Sequence, residues 1–282
     1  MRYKKRLFIF HLLFLFCVVK VRAQDITIFV SPKGSDQNTG TLLKPFKTIA
    51  KALSAIHAYV NKNVNIQLRG GTYYLDQTIE LNASGKLPAG LQITAYHHEK
   101  VMISSGRRLF LHWKPYQNGI YQATVPADIF FERLYINGSL QILARYPNYD
   151  STARVYHGTS ADAIAPERVK LWKNPVGGYV HALHSGEWGS FDYLIKGVDD
   201  KGNLQMEGGW QNNRPSGMNK QFRFVENIFE ELDAPGEWYL DKIHHLLYYY
   251  PPKGISLTTA LVEVSHLKEA IVLKGFNSVP VF

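Results

Sequence analysis

The acids Glu187, Asp192, Glu207, Glu226, Glu230, Glu231, Asp233 and Glu237 fall within one stretch of about fifty residues. Two carboxylates facing each other across a sugar can cleave a glycosidic bond. Their spacing is roughly 5–5.5 Å for retention and 6.5–9.5 Å for inversion. Linear order places no two of these acids at such a distance. Glu230 and Glu231 are neighbours, so on a strand they point to opposite faces, and in a short helix or turn they would be solvated. Trp188, Trp210 and Trp238 offer indole faces that stack on sugar rings. Gln211, Asn212, Asn213 and Arg214 offer hydrogen bonds to hydroxyls, and an arginine can also grip a uronate. The alternative is that Trp210 anchors a polar loop whose amides close turns on their own backbone. Phe222, Phe224, Val225, Ile228 and Phe229 read as core. The candidate substrate-binding residues are Trp188, Trp210, Asn212, Asn213, Arg214 and Glu187, and no catalytic residue is assigned.

Metal and cofactor chemistry find little support. His97-His98 and His244-His245 are adjacent pairs that diverge on a strand, and there is no H-E-x-x-H spacing for zinc. Asp36, Asn38 and Asp76 carry oxygens that suit calcium, yet no compact acidic loop gathers them. No glycine motif cradles a phosphate, and Gly70-Gly71 reads as a corner. The expectation is no metal and no cofactor.

These groups must be positioned by a chain that reads as exported. Residues 1–6 are basic, Leu7 to Val19 is nearly all apolar, and Val21-Arg22-Ala23 ends in small residues. That is the pattern of a secretory signal peptide cleaved after Ala23, too short for a membrane span. Secretion or periplasmic export follows, with no membrane span after cleavage. The single cysteine, Cys17, lies in that segment, so the mature chain relies on burial and not on disulfides. The formal charge of +9 shrinks likewise. Arg2, Lys4, Lys5, Arg6, Lys20 and Arg22 belong to residues 1–23, leaving 26 basic against 23 acidic residues, a net +3. Without a long basic run, nucleic acid is not an expected partner.

From Asp25 onward short strand-like pieces dominate. Ile26 to Val30 is β-branched and aromatic, and stops at Ser31-Pro32. Ile49, Ala52, Leu53, Ile56 and Val60 repeat at helical spacing behind Thr48 as N-cap. Further strands are expected at residues 64–68, 73–75, 78–81, 91–96 and 101–104. One amphipathic helix followed by short strands fits the capped end of a parallel β-solenoid, where the helix covers unpaired edges. From about residue 109 to 257 strands lengthen and aromatics cluster, with turn signals at Asn137-Gly138 and Asp200-Lys201-Gly202. This reads as an inserted antiparallel β-sandwich-like domain. Residues 261–265 and 270–275 then read as solenoid strands. The expected organisation is 1–23 signal peptide, 24–108 cap and first coils, 109–257 inserted domain and 258–282 return to the solenoid.

"IFVSPKGSDQNTGTLLKPFKTIAKAL" resembles the N-terminal cap of right-handed parallel β-helix proteins among secreted bacterial carbohydrate enzymes, the pectin lyase-like fold. "LYINGSLQILARYPN", "HSGEWGSFDYLIKG", "GGWQNNRPSGMNKQFRFVENIFEELDAPGEWYLD" and "LYYYPP" resemble the inserted domain of one subgroup, similar to glycoside hydrolase family 141. That subgroup includes α-L-fucosidase and xylanase activities. The resemblance implies a mainly β protein with a polysaccharide or oligosaccharide partner. It also implies catalytic carboxylates on coils after "LKEAIVLKG", beyond Phe282, so this chain alone is expected to be an inactive N-terminal part. The alternative is a noncatalytic polysaccharide-binding or structural module. A chain ending at Phe282 is expected to self-associate through an open C-terminal coil.

Overall fold

The computed structural model describes residues 25–82, 87–210 and 217–275. Along the chain come β1 Ile26–Val30, α1 Ile49–Ala55, β2 Asn63–Leu68, β3 Gly71–Tyr74, β4 Ile79–Asn82, β5 Gly90–Ala95, β6 Val101–Ser104 and β7 Gly106–Leu109. Then follow β8 Lys114–Pro115, β9 Tyr121–Thr124, β10 Leu134–Ile136, β11 Ser139–Leu140, β12 Ile142–Leu143, β13 Arg145–Tyr146 and α2 Pro166–Val169. The last are β14 Tyr179–His184, β15 Ser190–Val198, β16 Leu204–Gly208, β17 Met218–Glu226, β18 Glu237–Asp241, β19 Leu246–Tyr249, β20 Val262–Ser265 and β21 Ile271–Lys274. The protein is mainly β, and its described residues divide into two compact units.

The first unit holds residues 25–73, 81–82, 87–102 and 273–275. Its centre is a parallel sheet in the order β1-β2-β5, stacked in register: Ile28 lies beside Ile66, and Ile66 beside Ile93. Alternation turns Ile28, Val30, Val64, Ile66 and Leu68 inward, where all five are buried. α1 contributes Ile49 and Ala52 to the interior, followed by Ile56. The helix begins where the sequence indicates, with Thr48 Oγ1 accepting from the Lys51 N–H at 3.1 Å. Asp36, weighed above for calcium, braces this start. It accepts from the Lys47 and Thr48 N–H groups at 2.8 and 2.9 Å and from the Thr48 hydroxyl at 2.8 Å. Burial opposes its charge, but these bonds prevail and hold its carboxyl below the usual range. The helix is shorter than its apolar spacing predicts. After Ala55 it tightens into a 3₁₀ turn over Ile56–Tyr59, and Val60 is exposed. Ile56 is the last side chain of that stripe with a buried place to go, and Asn61 then takes φ 67°.

The second unit holds residues 74–80, 103–210 and 217–272. It contains an antiparallel five-stranded sheet, β13-β17-β14-β15-β16. A second five-stranded sheet runs β12-β18-β19-β9-β8, and a four-stranded one runs β11-β10-β20-β7. Asn137 and Gly138, both at positive φ, close the two-residue hairpin between β10 and β11. β20 differs from its solenoid reading: it runs antiparallel between β10 and β7. The reason is its alternation, which buries Val262 and Val264 with Leu134, Ile136 and Leu109 in one core cluster. Trp238, a candidate sugar platform by residue type, sits in that same cluster at 1% exposure, stacked on Phe131 at 5.3 Å. Glu231 is a correction too. It is buried in a 3₁₀ turn, accepting from Trp172 Nε1 at 2.7 Å and Arg168 at 3.0 Å, because α2 and the turn after it bring these donors to it.

Candidate functional site

The β14–β15 hairpin sorts its side chains by alternation. Val180 and Ala182 turn to one face and are fully buried, while Tyr179 and His181 turn to the other. Across the sheet, Asp192 on β15 pairs with His181, and Phe224 on β17 pairs with it from the other side. Glu226 lies two residues beyond Phe224, on the same face. Three strands therefore carry Asp192, His181 and Glu226 to one surface.

That surface is a wall of an open cleft of about 550 Å³ within the second unit. Phe131, Glu132 and Arg133 line it from the approach to β10, Leu140 to Leu143 from the segment after the hairpin, and Trp238, Leu240 and Lys242 from β18 and its end. A volume of this order suits a small ligand.

His181 bridges the two carboxylates. Its Nδ1 lies 2.6 Å from Asp192 Oδ1 and its Nε2 3.0 Å from Glu226 Oε1. Both ring nitrogens face carboxylates, an arrangement that favours the doubly protonated imidazolium. Burial disfavours that charge, but the hydrogen bonds and charges of Glu226 and Asp192 outweigh it and raise the imidazole above its ordinary value. The ring lies on Phe224, with centroids 4.6 Å apart and planes within 19°. Arg145 sits 4.0 Å from the same Phe224 ring and is buried. Its guanidinium is spent on three carbonyls, those of Pro147, Tyr156 and Gly158 at 2.8–3.0 Å. Arg145 therefore fastens the 147–158 segment at the edge of the cleft. Glu132 and Glu226 also bear on Tyr179, whose hydroxyl is pushed up mainly by burial and further by those charges.

The arrangement offers hydrogen-bond acceptors and an acid/base pair, but not a ready hydrolytic one. An inverting pair needs a gap for sugar and water, roughly 6.5–9.5 Å. Here the gap between the two carboxylates holds an imidazolium.

The residues singled out from sequence lie elsewhere. Glu187 and Trp188 are in the turn between β14 and β15. Glu187 takes φ 61°, and Trp188 is 73% exposed with its ring stacked on His184 at 5.0 Å. Trp210 follows β16 and is 83% exposed. Neither tryptophan lines the cleft. Gln211, Asn212, Asn213 and Arg214 lie outside the described residues. Sequence reasoning passed over His181 and chose no pair among the acids. The signal available was a polar residue alternating with core residues: Val180-His181-Ala182, Phe191-Asp192-Tyr193 and Val225-Glu226. Among the described residues no group of three histidines, cysteines or carboxylates has the geometry of a metal site. Among them, too, no helix is long and apolar enough to cross a membrane.

Comparison with known proteins gives a shared fold and two short local matches. No family model matches the chain. A solved structure described as a glycoside hydrolase superposes on 91% of this chain with a TM-score of 0.72 at 23% sequence identity. The superposed part is 48% of that protein, so the chain spans about half its length. The pectate lyase PEL9 of Emericella nidulans is 38% identical over 76 residues, 27% of this chain and 18% of the lyase. The uncharacterized protein YwoF of Bacillus subtilis is 38% identical over 77 residues, 27% of this chain and 15% of its own length.

Proposed function

We propose that this chain is the N-terminal portion of a secreted, glycoside hydrolase-like protein that acts on polysaccharide, with the cleft of the second unit receiving part of the sugar chain. The observation that carries the reading is that cleft: about 550 Å³, with the rings of Tyr149 and Tyr179 beside two carboxylates held in fixed positions. Such mixed aromatic and acceptor linings suit carbohydrate, whose rings stack and whose hydroxyls donate. The finer fold reading is a right-handed parallel β-helix of the pectin lyase-like kind, related to glycoside hydrolase family 141. The in-register parallel stack of β1, β2 and β5, with α1 against it, supports that reading. So do the superposition on a glycoside hydrolase and the local likeness to a pectate lyase. We place hydrolysis itself on coils that follow residue 282, and the second unit as the domain that shapes the groove.

One observation favours a noncatalytic binding role for this portion alone. The imidazolium of His181 fills the space between Asp192 and Glu226, where an inverting enzyme would place sugar and water. A binding and hydrolysis screen of the purified chain tests both readings, using xylan, pectin fragments and fucosylated oligosaccharides. Binding without turnover is the expected result. Turnover would move the catalytic carboxylates into these residues, and no binding at all would refute the saccharide reading.

A further inference from the structure

We propose that the His181 wall of the cleft selects a neutral, hydroxyl-bearing sugar unit over an anionic one, with His181 as the residue that positions the two acceptors, Asp192 and Glu226. This rests on the saccharide reading above and narrows its substrate class.

The donors nearest the two carboxylates are largely committed. Both N–H groups of His181 are spent on the carboxylates. Arg145 directs three of its five N–H groups to carbonyls. Asn227 Nδ2 donates to the Gly177 carbonyl at 2.9 Å, and Gln141 Nε2 donates to the Ser139 carbonyl at 2.7 Å. Beside His181 itself, what is left over is acceptor capacity on the two carboxylates. Asp192 Oδ2 and Glu226 Oε2 make no hydrogen bond with the described residues, and the Asp192 side chain is 72% exposed. A ligand seated here must bring donors, and sugar hydroxyls do. At this end of the cleft, away from Arg133 and Lys242, a uronate carboxylate would instead meet two like charges, with the imidazolium between them already committed.

The role of His181 is positional and depends on its charge. Deprotonation turns one ring nitrogen into an acceptor facing a carboxylate, so one of the two is released from the wall. The groups bearing on this event are Asp192 from β15, Glu226 from β17, and Tyr179 from its own strand. Arg145 lies against the Phe224 ring on which His181 stacks, and Glu132, Arg133 and Lys242 line the rest of the cleft.

Titration calorimetry of the full chain tests the proposal with two probe classes, neutral xylo- and fucosylated oligosaccharides against oligogalacturonate, at about pH 6 and pH 9. A neutral probe is expected to bind at the lower pH and weaken as pH rises. Asp192→Asn and Glu226→Gln, both near-isosteric, each weaken it about tenfold or more, the worth of a hydrogen bond to a charged group. His181→Gln weakens binding and abolishes its pH dependence, a change that a merely structural role would not produce. Thermal melts of the three variants establish that they fold. Oligogalacturonate binding more tightly than the neutral probes, lost in Arg133→Ala or Lys242→Ala and indifferent to Asp192→Asn, would overturn the selection while the saccharide reading stood. Silence from both probe classes would overturn both.

Discussion

Glu237 opens β18 with its side chain on the opposite side of the strand from Trp238 and Leu240, and only 2% of the residue is exposed. One carboxyl oxygen accepts from the Asp233 and Ala234 N–H groups, each at 3.1 Å, and the other has no partner. Burial pushes this acid up from 4.5 to about 8. The backbone bonds pull it only part of the way back, and Asp233 adds to the rise. The linkage follows from proton counting. Between the unfolded value and about 8, the folded chain holds a proton that the unfolded chain has released, so stability falls as pH rises through that window. Each pH unit costs about 1.4 kcal/mol, which bounds the total loss at about 5 kcal/mol once both states are ionised. Below the unfolded value the penalty vanishes.

Glu237→Gln removes this titration and leaves the carbonyl that receives Asp233 and Ala234. Its amide also brings buried donors without partners, a cost of about 1–3 kcal/mol. The variant is therefore less stable than wild type near pH 4.5 and more stable above pH 8, and the two stability curves cross between. Urea unfolding at a series of pH values measures both curves. All five tryptophans lie in the second unit, so their fluorescence follows the unit that holds Glu237. Other titrating groups, His181 among them, are common to both chains and cancel in the difference. Parallel curves, with a difference independent of pH, would refute the argument and mean that Glu237 is solvated or ionised in the folded chain.

Two further perturbations test the packing that frames the site. Glu231→Ala leaves the Trp172 indole N–H and part of the Arg168 guanidinium buried without an acceptor. We expect a loss of about 3 kcal/mol in the same unfolding assay, since breaking a buried pair strands the surviving partner, and a loss below about 1 kcal/mol would count against that pairing. Thr48→Ala removes both the cap on Lys51 and the hydroxyl bond to Asp36. It should cost about 1–2 kcal/mol in the first unit, read as faster amide exchange across residues 49–55, while tryptophan fluorescence of the second unit stays unchanged.

What the sequence disclosed was local. Thr48 as N-cap, β1 over Ile26–Val30, β6 over Val101–Ser104 and the Asn137-Gly138 hairpin each depend on a few adjacent residues, and each is found in place. The run after Trp210 was legible as core because Phe224, Val225 and Ile228 are apolar whatever they pack on. Other features depended on partners remote in the chain. Glu231 looks solvated until Trp172 and Arg168, about sixty residues earlier, are brought to it. Trp238 looks like a platform until Phe131 covers its face. The exposed tryptophans invited a sugar-binding reading by type alone, and position 188 or 210 says nothing about which face of a sheet turns toward a cleft.

The same logic explains why the cleft was hardest to read. Asp192 lies 11 residues from His181, and Glu226 lies 45 from it. No motif has that spacing, because the spacing is set by hairpin lengths and not by chemistry. Alternation carried the information: in each of three strands a charged residue replaces an apolar one on the face away from the core, and pairing register then aligns them. A single imidazole donates to two carboxylates only when it is charged, so the register of β14 against β15 and β17 favours a protonation state as well as setting a shape. Slipping either pairing by one residue would turn His181 to the core face beside Val225 and Ile195, where its charge would find no partner. The geometry of the acceptor wall and the stability of this sheet are therefore one constraint, and substitutions that relax the one must be measured for their effect on the other.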